Sequence, residues 1–237
     1  MGNSYFQFKQ FTIRQDRCAM KVCTDACLFG AIIAQDQVNH GSLLDIGAGT
    51  GLLSLIYAQK NPDVFIDCVE IDPAAAEQAE ENFKASPWRD NLKLFNCDIN
   101  DFPSGKRYSL IISNPPFFED DLLSDDKNKN AAKHNTTLSL NRLLTLVLPM
   151  MRNDATMAIL LPERRIARFE QEAQEHGLFL QKKVLVRQTP GHNIFRGILF
   201  FRKAIIAAQI SEMSIKRTDG NYTAEFIGLL KDYYLDL

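Results

Sequence analysis

An α/β fold with a seven-stranded, mostly parallel sheet that ends in an antiparallel hairpin is predicted by three observations. Short runs rich in β-branched and aromatic residues alternate with helical patterns from about residue 42 to 202. The first run closes in a glycine-rich turn, "DIGAGTG" at 45–51. The last two runs, near 178–188 and 194–202, are joined by "TPGHN", a turn too short for a helical crossover, so they pair as a hairpin at one edge of the sheet.

The elements follow in order. A helix is expected from Asp25, with Thr24 as its N-cap. "SLLDIG" (42–47) is an apolar strand ending at glycine, and "TGLLSLIYAQKN" (50–61) carries helical apolar spacing up to Asn61-Pro62. "DVFIDCVEI" (63–71) is a second strand, after which Asp72-Pro73 caps and starts an acid-rich helix. "NLKLFNCDI" (91–99) and "YSLIIS" (108–113) are the third and fourth strands. A helix over 138–151, a strand over 156–162 and an amphipathic helix over 163–177, closed by Gly177, lead into the hairpin. A polar stretch at 119–135 interrupts the alternation, and a loop that long is usually functional or mobile.

The 237 residues suit one sizeable domain, and no apolar run is long enough to span a bilayer. The N-terminus lacks the apolar core of a signal peptide. Five cysteines (Cys18, Cys23, Cys27, Cys68 and Cys97) form no C-x-x-C pair, which points to free thiols in a cytoplasmic protein and no metal. The net charge of −2 does not mark the whole chain as a nucleic-acid binder. The halves differ, however. Residues 1–126 hold 10 Lys/Arg against 19 Asp/Glu, and residues 127–237 hold 17 against 10, so an anionic partner would be steered to the C-terminal half.

Four side chains stand at successive strand ends: Asp45, Glu70, Asp98 and Asn114. In an open parallel sheet, ligands bind beyond the carboxyl ends of the strands, so the four should share one crevice. The turn reads Asp45-x-Gly47-x-Gly49-x-Gly51. A dinucleotide fingerprint would need glycine where Leu52 stands, which disfavours NAD. An acid two residues before Gly47 suits a ligand with a positive group. A carboxylate at Glu70 can accept from both ribose hydroxyls of an adenosine, and Asp98 can accept from an adenine amino group.

These motifs resemble those of class I S-adenosylmethionine-dependent methyltransferases, whose fold is Rossmann-like. The resemblance implies that Gly47, Ala48, Gly49 and Gly51 wrap the methionine part of the cofactor. It likewise implies that Glu70 holds the ribose, that Asp98 holds the adenine, and that Ile71 and Ile99 sandwich the ring. "NPPF" (114–117) resembles the motif of amino-group methyltransferases. An exocyclic amine delocalises its lone pair and is a poor nucleophile; it needs acceptors that favour a pyramidal, partly positive nitrogen. The Asn114 side-chain oxygen and the Pro115 carbonyl are such acceptors, Pro115 and Pro116 stiffen the backbone, and Phe117 offers a flat face for a planar target.

Similar motifs serve adenine-N6, guanine-N2 and protein-glutamine-N5 methylation. The segment "FTIRQDRCAMKVCTDACLFGAIIA" (11–34), "NPPFFEDD" with the following "AAKHNTTLSLNRLL" (131–144), and "YTAEFIGLLKDYYL" (222–235) together resemble the bacterial tRNA(Val) adenine-37 N6-methyltransferase family. That resemblance implies methyl transfer to adenine N6 in tRNA, with Lys21 and Thr24 lining the cofactor pocket. It also implies an N-terminal segment (1–40) packed over the cofactor site of a methyltransferase domain (41–237). His134, Arg187, His192 and Arg196 are candidate RNA contacts, and Lys127, Lys129, Lys133, Arg164, Arg165, Arg168, Lys182 and Lys183 are candidate phosphate contacts. The alternatives are a glutamine-N5 or guanine-N2 methyltransferase, or an RNA-binding protein with a vestigial cofactor site.

Overall fold

A computed structural model describes residues 3–18, 20–36, 41–103, 105–116 and 138–237. The chain begins with two short strands, β1 (Tyr5–Gln7) and β2 (Thr12–Arg14), which pair antiparallel as a separate two-stranded sheet. Helix α1 (Thr24–Asp36) follows, starting at Thr24 itself. Then come β3 (Ser42–Ile46), α2 (Leu52–Lys60), β4 (Phe65–Glu70), α3 (Pro73–Lys84), β5 (Leu92–Asn96) and β6 (Tyr108–Ser113). The rest is α4 (Leu140–Met150), β7 (Met151–Pro162), α5 (Glu163–Glu175), β8 (Phe179–Arg187), β9 (Ile194–Arg202), β10 (Gln209–Ser214) and α6 (Ala224–Leu230).

Among the described residues, eight strands, not seven, form the main sheet, in the order β10-β8-β9-β7-β6-β3-β4-β5. Only β9 runs against the others. The β8–β9 hairpin is present, but β8 does not end the sheet: β10 pairs parallel to it and takes the edge. The α/β class and the mostly parallel sheet follow the pattern of the sequence, with β10 as the addition.

Strands buried on both faces read as continuous apolar runs, and β3 is buried along its whole length. Alternate residues face opposite layers. Leu43 joins a core with α1, α2, α3 and α6, while Leu44 joins one with α4 and α5. The N-terminal strands belong to the first core, where Phe8 and Phe11 stack with ring centroids 4.5 Å apart. At the other end of the chain, Phe226, Leu230 and Tyr233 enter the same core.

The helix starts obey local chemistry. Asp72 caps α3 by accepting from the backbone N–H of Ala74 and Ala75, with Pro73 at the first helical position. Ser139 and Thr223 cap α4 and α6 in the same way.

Candidate active site

Strands β6, β3, β4 and β5 are neighbours and parallel, so their carboxyl ends lie side by side. Strand spacing spreads those four ends over roughly 15 Å. Asn114 follows β6, Asp45 lies in β3, Glu70 ends β4 and Asp98 follows β5. The structure therefore brings all four to one edge.

The glycine turn is built for close approach. Gly47 and Gly49 hold φ of +73° and +56°, which favours glycine, and nothing lies within 4 Å of where a Cβ would stand on either. Their open sides leave room for a ligand against the backbone. The turn is anchored beneath by Gly47 and Ala48 donating to the Val69 carbonyl at 2.9 and 3.1 Å. Glu70 ties it from the side: one carboxylate oxygen accepts from the Gly49 N–H at 2.7 Å and the other from the Asp72 N–H at 2.9 Å. Asn96 donates to the Glu70 and Ile71 carbonyls, fixing the turn beyond β4. Ile71 is 58 % exposed at this rim, whereas Ile99 is buried. Asp98 is half-buried, and its Oδ1 accepts from the N–H and the Nδ2 of Asn100.

Two buried oxygens at this edge lack any donor among the described residues: Asp45 Oδ1 and Asn114 Oδ1. Asp45 has no exposed surface, and its other oxygen accepts from the Ser54 hydroxyl at 2.7 Å. Burial pushes its carboxyl up to about 7, with nearby Glu70 adding to the rise and the Ser54 hydrogen bond opposing it. Asn114 is held on a firm base. Ser113, fully buried, donates to the Ile46 carbonyl at 2.9 Å and locks the end of β6 to the end of β3. Pro115 is buried and Pro116 exposed. Buried polar groups nearly always find partners, so a stiffly held acceptor with none marks a place for a ligand donor.

The sequences of known proteins now bear on this edge. The family model "Methyltransferase small domain" matches residues 26–139. The tRNA1(Val) (adenine(37)-N6)-methyltransferase of Dyadobacter fermentans is 42 % identical over 237 residues, covering 98 % of each chain. The chain belongs to this methyltransferase family. The Trichodesmium erythraeum relative of the same name is 40 % identical and covers 99 % of each. Among solved structures, a predicted O-methyltransferase from Agrobacterium tumefaciens superposes with a TM-score of 0.67 at 14 % identity, over 90 % of this chain and all of that one, a likeness of fold.

Members of such a family use S-adenosylmethionine, and the described residues fit it: an open glycine cradle, an acid at each of three strand ends, and two unpartnered buried acceptors.

Phe117 and His134 lie outside the described residues, as do Lys127, Lys129 and Lys133. Lys21 is exposed and its Nζ donates to the Asn3 carbonyl at 3.2 Å; Thr24 is half-buried. Arg187 pairs with Glu212, and His192 Nδ1 shares a hydrogen bond with the Thr189 hydroxyl. Arg196 pairs with Asp25 at 2.7 Å, joining β9 to the start of α1. Lys182 pairs with Asp36, Lys183 with Glu170 and Arg168 with Glu172. Arg165 is a correction: it is buried, on the core side of α5, and not a surface cation. Among the described residues no three His, Cys, Asp or Glu side chains gather as a metal group, and no helix is long and apolar enough to cross a membrane.

Sequence reasoning passed over Ser113, Asn96 and Asn82, which support the edge from behind, and Gln78, which holds the N-terminal segment on α3. The last two had a signal. Positions 75, 78, 79, 82 and 83 form one helical stripe, and two amides stand in it among Ala75, Ala79 and Phe83.

Proposed function

We propose that this chain transfers a methyl group from S-adenosylmethionine to the exocyclic N6 of an adenine in tRNA, the adenine at position 37 of tRNA(Val). The observation that carries this reading is the buried Oδ1 of Asn114, without a partner among the described residues, at the edge where the glycine cradle opens.

In this reading Glu70 holds the ribose of the cofactor and Asp98 its adenine, with Ile71 and Ile99 against the two faces of the ring. Gly47, Ala48, Gly49 and Gly51 take the methionine part, next to Asp45. Lys21 and Thr24 close the site from the N-terminal segment, residues 1–40. When bound, S-adenosylmethionine supplies a methyl group already activated on a sulfonium.

The protein's task is then placement and charge. Asn114 Oδ1 accepts one N6–H of the target adenine, and the Pro115 carbonyl accepts the other. Two acceptors draw the nitrogen lone pair out of conjugation and favour the positive charge that develops in the transition state. The two prolines keep these oxygens from relaxing, so little reorganisation is needed at the moment of reaction. Phe117 supplies the stacking face. No side-chain base is required, because the methylated amine loses its proton to water after transfer. A base in the anticodon loop is reached at less cost than one inside a duplex.

The test is methyl transfer from labelled S-adenosylmethionine to unmodified total tRNA, followed by digestion and mass spectrometry of nucleosides. Wild type should give N6-methyladenosine mapped to tRNA(Val). Asn114→Ala should lose turnover by a factor of at least about 10² while still binding the cofactor. Label in N2-methylguanosine or in protein would overturn the reading in favour of a guanine or glutamine target. Unchanged turnover in the variant would remove Asn114 from the catalytic step.

A further inference from the structure

Three buried side-chain amides hold the N-terminal segment, and one of them also reaches the cofactor edge. Gln15 accepts from the Val22 N–H at 2.8 Å and donates to the Asn3 carbonyl, so the stretch from 15 to 22 closes on itself. Gln78, with no exposed surface, accepts from the Arg17 N–H at 3.2 Å and donates to Asp16 at 2.8 Å. Asn82, 2 % exposed, does more. Its Oδ1 accepts from the Arg14 N–H at 2.9 Å, and its Nδ2 donates to the Arg14 carbonyl at 3.1 Å. The same Nδ2 donates to the Thr50 carbonyl at 2.9 Å.

Thr50 lies inside the glycine turn. One side chain on α3 therefore holds both the backbone of β2 and the backbone of that turn. Its neighbour Phe83 packs directly under Gly51, so residues 82 and 83 form the floor of the turn together. Gln78 and Asn82 are four apart and share a face of α3, but only Asn82 reaches the turn. Outside, Arg17 pairs with Glu77 and Glu81 and holds the segment down on the same helix.

We infer that Asn82 is a positioning residue that couples the N-terminal segment to the glycine turn, so that the backbones of β2 and of the turn are set by one amide. The inference rests on the proposed cofactor reading of this edge. All three Asn82 bonds are to backbone, so a change elsewhere in the chain cannot replace them. An aspartate keeps the size and can accept from the Arg14 N–H, but it loses the donors to the Arg14 and Thr50 carbonyls.

Calorimetric titration of S-adenosylmethionine into wild type, Asn82→Asp and Gln78→Ala tests this, alongside hydrogen exchange at the amides of 12–18 with and without cofactor. Wild type should bind, and saturation should slow exchange at the Arg14 amide. Asn82→Asp should weaken the Kd by about tenfold or more and abolish that slowing. Its KM for the cofactor should rise in step while kcat at saturation falls less than about threefold. Gln78→Ala, which loosens the segment but not the turn, should stay within about twofold of the wild-type Kd. Equal weakening in both variants would mark a general loss of stability and overturn the inference, as would wild-type affinity in Asn82→Asp. Should that variant not fold, the wild-type exchange decides alone: an unchanged Arg14 amide on saturation overturns the coupling. Failure of the wild type to bind at all would instead overturn the cofactor reading.

Discussion

Asp45 stands with no exposed surface beside Ser54 and Cys68, and its second oxygen has no donor among the described residues. Its carboxyl titrates at about 7 when folded and near the ordinary carboxylate value when unfolded. Below the unfolded value both states are protonated, and the group costs nothing. As pH rises towards 7 the unfolded chain gives up its proton first, so stability falls; above 7 the full cost, roughly 4 kcal/mol, is present. Asp45→Asn removes the ionisation. The melting temperature of this variant relative to wild type should rise from pH 5 to pH 8, and a difference flat with pH would show that Asp45 stays ionised in the fold. The four strand-end residues were legible in the sequence because each stands at or within two or three residues of the end of an apolar run. Asn82 and Gln78 left only a weaker signal, two amides within the apolar stripe of α3, because a polar residue on a helix otherwise reads as solvated.

At the scale of elements, the N-cap of α2, Gly51, lies directly against Phe83 of α3. Gly51 holds φ of +82°, and a Cβ there would overlap the Phe83 ring. A buried ring cannot swing away as the tip of an aliphatic chain can. Gly197 on β9 makes the contrast: a Cβ there would meet the free Cδ1 end of Ile166, and its φ is not positive. Gly51→Ala should therefore cost about 3 kcal/mol or more, and Gly197→Ala distinctly less, read by urea unfolding of the two variants. Equal costs would mean that the Phe83 ring yields. Helices α2 to α5 and strands β3 to β9 were all legible, since buried parallel strands and amphipathic helices leave strong periodic patterns. β10 was missed for a physical reason. Four of its six residues are exposed, and "QISEMS" shows little of the apolar signal that a covered strand needs. β1 and β2, three residues each, are too short for a period to register.

Across the whole molecule, the two termini share one core. Tyr233 donates to the Ile56 carbonyl at 3.2 Å, its own carbonyl accepts from the Lys9 N–H at 2.8 Å, and Asp232 pairs with Lys60. Deleting residues 224–237 would remove Phe226, Leu230 and Tyr233, all buried, from the layer that also seats α1 and α2. Such a loss is comparable to the whole stability of a domain. The truncated chain should lose its cooperative thermal transition by calorimetry; a sharp transition retained would show that the core closes without them. The charge asymmetry read from the sequence also changes at this scale. Among the described residues, at least six basic side chains of the C-terminal half sit in ion pairs, Lys182 and Arg196 with acids of the N-terminal half, so the surplus is partly spent on cohesion.

The position of β9 bears on how the chain is made. β8 leaves the ribosome before β9, yet its only antiparallel neighbour is β9, which also seals the free flank of β7. Until about residue 202 has emerged, a nascent chain holding all of the cofactor edge still carries an unpaired apolar strand flank. That flank is a place where a chaperone would bind, or where two growing chains would stick.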